Sequence, residues 1–435
     1  MAKIVIETYG CALNQAEGEI MGSLLEREGH AVRLGKHADN DACDCLIVNT
    51  CTVKTPTEQR ILDRLRKLQG MGSRLIVAGC MASADTSRVE RAAPSAGIVG
   101  VGDIGKIADA VANSMLGRRA RYLDHSRTDK LEMYDARCSC GRSVVATIAV
   151  CDGCLGSCSF CESRFARGAL SSFSEKLILD AVKTKIENGA KEIRLTAEDV
   201  GAYGIDKNTN IAELIAKVAE IPGKFRIRIG MLNPEHVPKY MDELIEAYRH
   251  DKVYKFIHLP IQSASDRVLR DMNRKYTVDE FDAIAKEMRG KIPKLSIETD
   301  IIVGYPTETE HDYAQTVDWL RKTRPMMVNL SRFGARPHAP ASRLPQLKEE
   351  EVRRRSNEMT KIMREVMESE RRKLVGESCE VLVTEGSGQT FTGRSPGYVQ
   401  VALQGDHVIG DFVSVRVTGS TPLCLIGSQS DNERV

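Results

Sequence analysis

The chain has 435 residues, 42% of them hydrophobic and 28% charged, with a net charge of +2. That is enough length for two or three globular domains with sizeable cores, and an ordinary globular composition. The near-balanced charge excludes a global basic field, so any nucleic-acid site must be a local patch.

The start, Met1-Ala-Lys-Ile-Val-Ile-Glu-Thr8, lacks a charged region followed by a long apolar run, so no signal peptide is expected. No apolar stretch reaches about 18 residues, so no membrane span is expected. Thirteen cysteines at irregular spacings fit a reducing compartment and a cluster-bearing protein better than a disulfide framework.

Three short β-branched runs open the chain: Lys3–Gly10, Asp44–Thr50 and Arg74–Gly79. Each leads directly into a cysteine, Cys11, Cys51 and Cys80. Helix-like stretches at Gln15–Glu28 and Pro56–Gln69 separate them, which predicts a parallel α/β sheet. The carboxyl ends of such strands gather on one edge, where ligands bind. Cysteines 40 and 29 residues apart in sequence can therefore converge there. Gly10, Thr50 and Gly79 precede them, small residues that admit a cluster close to the backbone. Buried cysteines also pack as small hydrophobes, but three strand ends with one grammar favour a shared metal site. Cys43 and Cys45 lie at the opposite edge and read as structural. Cys138 and Cys140, in a polar connector at Ser126–Arg142, read as structural or incidental, as do Cys379 and Cys424.

A strand at Ser143–Val150 leads into Cys154-Leu-Gly-Ser-Cys158-Ser-Phe-Cys161. Three thiolates in eight residues suit a 4Fe–4S cluster with one iron left open. An open iron can chelate S-adenosylmethionine, and an electron from the cluster can then break the sulfonium bond. This spacing is the signature of radical S-adenosylmethionine enzymes. Cys151 extends the string to spacings of 2, 3 and 2. Zinc ribbons separate their pairs more widely, and the ferredoxin run is 2, 2, 3 and ends in Pro. Cys151 is read as a strand residue, with a role beside the cluster left open.

Further strands are predicted at Glu192–Thr196, Phe225–Gly230, Lys255–Leu259, Lys294–Asp300 and Met327–Ser331. Amphipathic helices at Glu175–Asn188, Ile211–Ala219, Val278–Arg289 and Glu310–Lys322 alternate with them. Six β/α repeats predict an open, partial barrel whose strand carboxyl ends carry the site. Glu198, Asp199, Arg228, Asn233, His258, Gln262, Asp300 and Gly304 are expected to face the pocket, with a structural role equally open for each. The turns Gly201–Gly204 and Gly304–Pro306 are read as permitting close approach to a nucleoside. Leu347–Leu374 reads as a solvated connecting helix with Glu/Arg i,i+4 pairs. Five short strands follow, at Cys379–Thr384, Gln389–Gly393, Tyr398–Ala402, Phe412–Val417 and Leu423–Ile426. They fit a small β-barrel of the oligonucleotide-binding type. Arg394, Tyr398 and Arg416 are candidates for phosphate contact or base stacking.

Taken together, the chain resembles the radical methylthiotransferases over nearly its whole length. Thr8-Tyr-Gly-Cys11-Ala-Leu-Asn14, Asn49-Thr-Cys51-Thr-Val-Lys54 and Ala78-Gly-Cys80-Met81 match that family's auxiliary-cluster region. Gly153–Cys161 and Ala166-Arg-Gly168 match its radical motif. His258–Asp266 and Thr299–Pro306 match its barrel, and Thr390–Gly427 its terminal TRAM barrel. Thr52–Glu58 and Glu198–Gly204 look most like the archaeal and eukaryotic branch. Glu162, Thr307 and Cys151 depart from the usual pattern.

The resemblance implies two 4Fe–4S clusters, on Cys11, Cys51 and Cys80 and on Cys154, Cys158 and Cys161, with S-adenosylmethionine as radical source and methyl donor. Glu198, Arg228 and Gln262 are the implied S-adenosylmethionine contacts. The implied reaction is insertion of a methylthio group at C2 of N6-threonylcarbamoyladenosine next to the tRNA anticodon, in the cytoplasm and away from membranes. An electron donor and a sulfur source are implied partners. The expected division is residues 1–125 for the auxiliary-cluster domain, 126–142 for a linker, 143–370 for the partial barrel and 371–430 for the RNA-binding barrel. The rivals are a methylthiotransferase acting on isopentenyladenosine or a protein aspartate, and a non-catalytic iron–sulfur RNA-binding regulator.

Overall fold

The computed structural model describes residues 1–35, 43–52, 55–124, 129–138 and 143–429. Cys140 and part of the expected linker lie outside the described residues.

The amino-terminal sheet contains β1 (Lys3–Thr8), β2 (Ala31–Leu34), β3 (Cys45–Thr50), β4 (Leu75–Gly79), β5 (Gly97–Val99) and β6 (Arg121–Tyr122). All are parallel, in the order β2-β1-β3-β4-β5-β6. The three strands read from the sequence form the centre. The three missed ones are short flanking strands, with too few β-branched residues to make a pattern. Alternation in the central strands divides the core in two. Val5, Leu46, Val48 and Val77 pack under α2 (Thr55–Leu68) and α4 (Thr86–Ala92). Ile4, Ile6, Ile47 and Ile76 pack under α1 (Ala12–Arg27) and α5 (Ile107–Met115). Between β4 and α4 lies the short α3 (Cys80–Ala84).

The middle of the chain forms two three-stranded parallel sheets. One is β7 (Val145–Ala149), β10 (Glu192–Thr196) and β11 (Arg226–Ile229). The other is β12 (Phe256–His258), β13 (Ser296–Val303) and β14 (Met327–Arg332). Bridges Ile227↔Val253 and Met231↔His258 join them into one six-strand open barrel. The predicted strands match within two or three residues. A small ribbon, β8 (Cys151–Asp152) with β9 (Ser171–Ser172), brackets the cysteine loop and α6 (Ser163–Arg167). Outside the barrel run α7 (Glu175–Glu187), α8 (Ile211–Ala219), α9 (Met241–Arg249), α10 (Asp266–Asp271), α11 (Val278–Lys291) and α12 (Glu310–Thr323). Leu13 and Ala16 of α1 enter the barrel's core, so the two sheets meet across a packed seam.

The helix α13 (Glu349–Arg372) is not simply a solvated connector. Met359, Ile362, Val366 and Met367 are buried, and Arg355 is 1% exposed against Glu308, with 2.8 Å between Nη1 and Oε2. Of the expected i,i+4 pairs, Glu351–Arg355 forms, whereas Arg354 turns to Glu310 and Glu358. Beyond it, β15 (Ser378–Ser387), β16 (Thr390–Arg394), β17 (Gln400–Gln404), β18 (Phe412–Ser420) and β19 (Leu425–Gln429) close a barrel in the order β15-β16-β17-β19-β18. Among the described residues no helix is long and apolar enough to cross a membrane.

Candidate active site

β1, β3 and β4 are neighbours, so the residues that follow them are neighbours too. Thr8 lies opposite Asn49, and Thr50 opposite Gly79. Cys11 caps the start of α1, Cys51 follows β3, and Cys80 is the first residue of α3. Asn14, one turn into α1, ties the three loops together. It accepts from the Cys11 thiol at 3.2 Å and donates to the Thr50 carbonyl at 3.0 Å and to Cys80 Sγ at 3.8 Å. Two glycines make the convergence sterically feasible. At Gly10 (φ +113°) a Cβ would sit 2.7 Å from Cys51 Sγ, and at Gly79 (φ +90°) it would sit 2.5 Å from the Thr50 carbonyl oxygen. Burial pushes the Cys11 and Cys80 thiols up to about 12, and Glu198 adds to the effect while Arg167 opposes it. Metal must therefore displace protons here.

The second cysteine set follows β7. Each of its sulfurs accepts one N–H: Cys154 from Gly156 at 3.2 Å, Cys161 from Ser163 at 3.4 Å, and Cys158 from Arg274 Nη1 at 3.2 Å. N–H donors aimed at cysteine sulfur are what an anionic iron–sulfur cluster requires, and the donor set fits that group. No three His, Cys, Asp or Glu side chains among the described residues converge closely enough for a single metal ion. A cubane binds each cysteine through a different iron, so its ligands stand further apart. Cys151 is a buried strand residue with Sγ 3.7 Å from the Asp199 carbonyl oxygen.

The two sets face one another. Thr52, next to Cys51, donates to Glu162 Oε2 at 2.6 Å, and Glu162 is the residue after Cys161. Arg167 of α6 is fully buried. Its Nη1 bonds Glu17 Oε1 at 2.7 Å and Asp152 Oδ1 at 3.0 Å, and its Nη2 bonds Glu17 Oε2 at 2.9 Å and Cys80 Sγ at 3.1 Å. Its Nε lies 2.9 Å from Glu198 Oε1. Lys130 joins Glu17 at 2.6 Å and also Asp152. Glu198 acts electrostatically on Cys11, Cys80 and Cys161 alike, so it stands between the sets.

Two family models match the chain. One, described as the radical SAM superfamily, matches residues 148–320, and one described as uncharacterized protein family UPF0004 matches residues 3–100. A probable threonylcarbamoyladenosine tRNA methylthiotransferase of Pyrococcus abyssi is 39% identical, over 98% of this chain and 99% of its own length. One from Methanothermobacter thermautotrophicus is also 39% identical, with the same coverage. The chain belongs to the threonylcarbamoyladenosine tRNA methylthiotransferase family. A Drosophila melanogaster member is 30% identical over 99% of this chain and 78% of its own. Among solved structures, the radical S-adenosylmethionine methyltransferase TsrM from Kitasatospora setae aligns with a TM-score of 0.56 at 12% identity. It covers 78% of this chain and 77% of that one, a likeness of fold.

The family's radical chemistry brings a 4Fe–4S cluster and S-adenosylmethionine to this fold. Side chains of β11 to β14 form a polar cluster. His258 Nε2 is 3.0 Å from Asp300 Oδ2, and Asn329 donates to Glu298 at 2.8 Å and to Asp300 at 2.9 Å. Arg228 approaches Glu298 at 4.0 Å and lies over the Phe256 ring. Burial pulls the His258 pKa down, but Asp300 and Glu298 outweigh it, holding the imidazolium above its ordinary range. Gln262 has a left-handed backbone (φ +67°) between β12 and α10. Asn233 accepts from Arg274 Nη2 at 2.6 Å, beside the Cys158 contact.

Several expected site residues serve the fold instead. Asp199 accepts from the Gly201 and Asn233 amides, both at 3.0 Å, and is 1% exposed. A Cβ at Gly204 would strike Thr209, and one at Gly304 would strike Val352 at 2.7 Å, so these turns admit protein rather than a nucleoside. Tyr398, expected on the RNA surface, is 9% exposed. Its ring packs on Tyr254 and Phe256 and its hydroxyl donates to Glu192 at 3.1 Å. It docks the terminal barrel and has no face left for a base. Arg394 is half-buried over the Tyr398 ring, and Arg416 is exposed. Asn14, Glu17, Lys130, Glu162, Arg167 and Arg274 were not picked out from the sequence as site residues. Only the tertiary contacts reveal them, although Arg167 and Asn14 sit inside the motifs.

Proposed function

We propose that this chain inserts a methylthio group at C2 of N6-threonylcarbamoyladenosine beside the anticodon of tRNA. The observation that carries the reading is the pair of cysteine sets facing one another across a single buried seam. Relatives of the same length bearing that substrate's name support it.

In this reading, Cys154, Cys158 and Cys161 hold one 4Fe–4S cluster, and Cys11, Cys51 and Cys80 hold a second. When bound, the clusters and S-adenosylmethionine supply the electron, the hydrogen-abstracting radical and the methylthio group. The chain's own residues bind, orient and exclude water. Gly156, Ser163 and Arg274 steady the first set of sulfurs. Asn14 and Arg167, both donating to Cys80 Sγ, steady the second. Glu198, Arg228 and Gln262 contact S-adenosylmethionine. The polar interior formed by His258, Glu298, Asp300 and Asn329 receives a flipped adenine. Arg394 and Arg416 on the closed barrel meet tRNA phosphates. The working division is residues 1–125, 143–370 and 371–430 about a linker at 126–142. An electron donor and a sulfur source come from outside the chain, and the enzyme works in the cytoplasm.

The test is anaerobic. The protein is reconstituted with iron and sulfide and given reductant, S-adenosylmethionine and threonylcarbamoylated tRNA, and the nucleosides are weighed by mass spectrometry. A methylthio gain on that nucleoside, lost in Cys11→Ala and Cys158→Ala, is expected. Formation of 5′-deoxyadenosine with unmodified tRNA would overturn the substrate assignment. Absence of both products with both clusters assembled would favour a regulator.

A further inference from the structure

Arg167 spends its guanidinium in an unusual way. All four Nη hydrogens have acceptors: two go to the Glu17 carboxylate, one to Asp152 and one to the sulfur of Cys80. The side chain is completely shielded from solvent. It is carried by α6, which begins two residues after Cys161, so one helical turn links a ligand position of the radical loop to a sulfur of the other set. Lysine lacks the planar fork needed to meet these acceptors together.

The charges around it are unequal. Two cations, Arg167 and Lys130, face three carboxyl groups, Glu17, Asp152 and Glu198, so acidic side chains outnumber basic ones in the buried group before any cluster is added. An anionic cluster beside such a group is harder to reduce, because reduction adds another negative charge. A cationic N–H directed at a ligand sulfur acts the other way, since it stabilises the more negative, reduced cluster. The second set has a parallel device, with Arg274 Nη1 donating to Cys158 Sγ at 3.2 Å. One guanidinium therefore rests on one sulfur of each cysteine set.

We propose that Arg167 is a positioning residue that holds Cys80 by its sulfur and raises the reduction potential of the cluster on Cys11, Cys51 and Cys80 against the surrounding carboxylates. Glu17 is the opposing member: it orients the fork and contributes the negative charge that Arg167 offsets. The inference rests on the two-cluster reading above.

The test isolates that cluster. In a parent protein with Cys154, Cys158 and Cys161 all replaced by alanine, the iron bound after reconstitution is counted. The midpoint potential is then read by a redox titration followed by electron paramagnetic resonance. Arg167→Met is expected to shift the potential negative, and Arg167→Lys to recover part of the shift. Glu17→Gln, which removes a negative charge without touching a ligand, is expected to shift it positive. Arg274→Met is expected to leave this potential where it was. Arg167→Met with full iron and the parent's potential would overturn the proposal. If Arg167→Met binds no iron, an unmoved potential in Glu17→Gln overturns it instead. A parent that itself takes up no iron would bring down the two-cluster reading, a separate failure.

Discussion

Gly10→Ala is the sharpest local test of how the first cysteine set is built. The new Cβ would lie 2.4 Å from Cys51 Cβ, 2.7 Å from Cys51 Sγ and 2.8 Å from Asn14 Oδ1. Carbon atoms rest comfortably at about 3.5–4.0 Å, so Cys51 must move by roughly an ångström. Cys51 is only 2% exposed and has little room to do so. Overpacking of this kind costs about 1–3 kcal/mol. Holding a non-glycine residue at φ +113° adds about 1–3 kcal/mol. Gly29→Ala separates the two terms, since φ there is +81° but nothing lies within 4 Å of the added Cβ. It should cost only about 1–2 kcal/mol of backbone strain. Urea denaturation of the iron-free proteins measures both. Iron per chain after reconstitution is the decisive reading, because metal ligands tolerate displacements of only about 0.2 Å. Gly10→Ala should retain about half of the wild-type iron, still cleave S-adenosylmethionine, and fail to form the methylthio product. Gly29→Ala should keep all three properties. Full iron and a normal yield of methylthio product in Gly10→Ala would refute the reasoning.

Other outcomes follow from charges and rings buried at the seams. Arg355→Met leaves Glu308, 1% exposed, without its cation and should cost about 3–5 kcal/mol in urea denaturation; adding Glu308→Gln should recover much of that loss. Tyr398→Ala should cost about 3–5 kcal/mol and make the terminal barrel sensitive to limited proteolysis. Tyr398→Phe should cost about 1 kcal/mol and leave tRNA affinity unchanged. Arg416→Ala, at an exposed position on β18, should weaken tRNA binding and lower the slope of affinity against salt by about one. The folded-state pKa of His258 is raised, so its pairing with Asp300 stabilises the fold fully below the unfolded value of about 6.5 and fades as pH rises through the folded value. The stability gap between wild type and His258→Gln should therefore be widest below about pH 6.5 and narrow as the pH rises above it, as read by denaturation at each pH.

Local pattern alone determined a good deal. The β-branched runs ending at Gly10, Thr50 and Gly79 announced parallel strands, and the cysteine after each announced a shared edge. The tight spacing of Cys154, Cys158 and Cys161 announced its own chemistry, because a loop of eight residues brings its sulfurs together by itself. The barrel strands were legible for the same reason, each being a short apolar run with its own turn signals. Tertiary structure decided what lay between. β2, β5 and β6 are too short to carry a pattern, and their pairing comes from the sheet they flank. Tyr398 looked like an exposed ring on a strand until the barrel it docks against was in place. The bridge of Glu17, Lys130, Asp152, Arg167 and Glu198 joins residues up to 181 positions apart, from 17 to 198. Apart from Glu198, which the sequence already places at a strand end facing the pocket, each of them reads locally as a solvated charge. Only burial at the seam of two sheets turns such charges into partners, because desolvation makes an unpaired one too costly to keep.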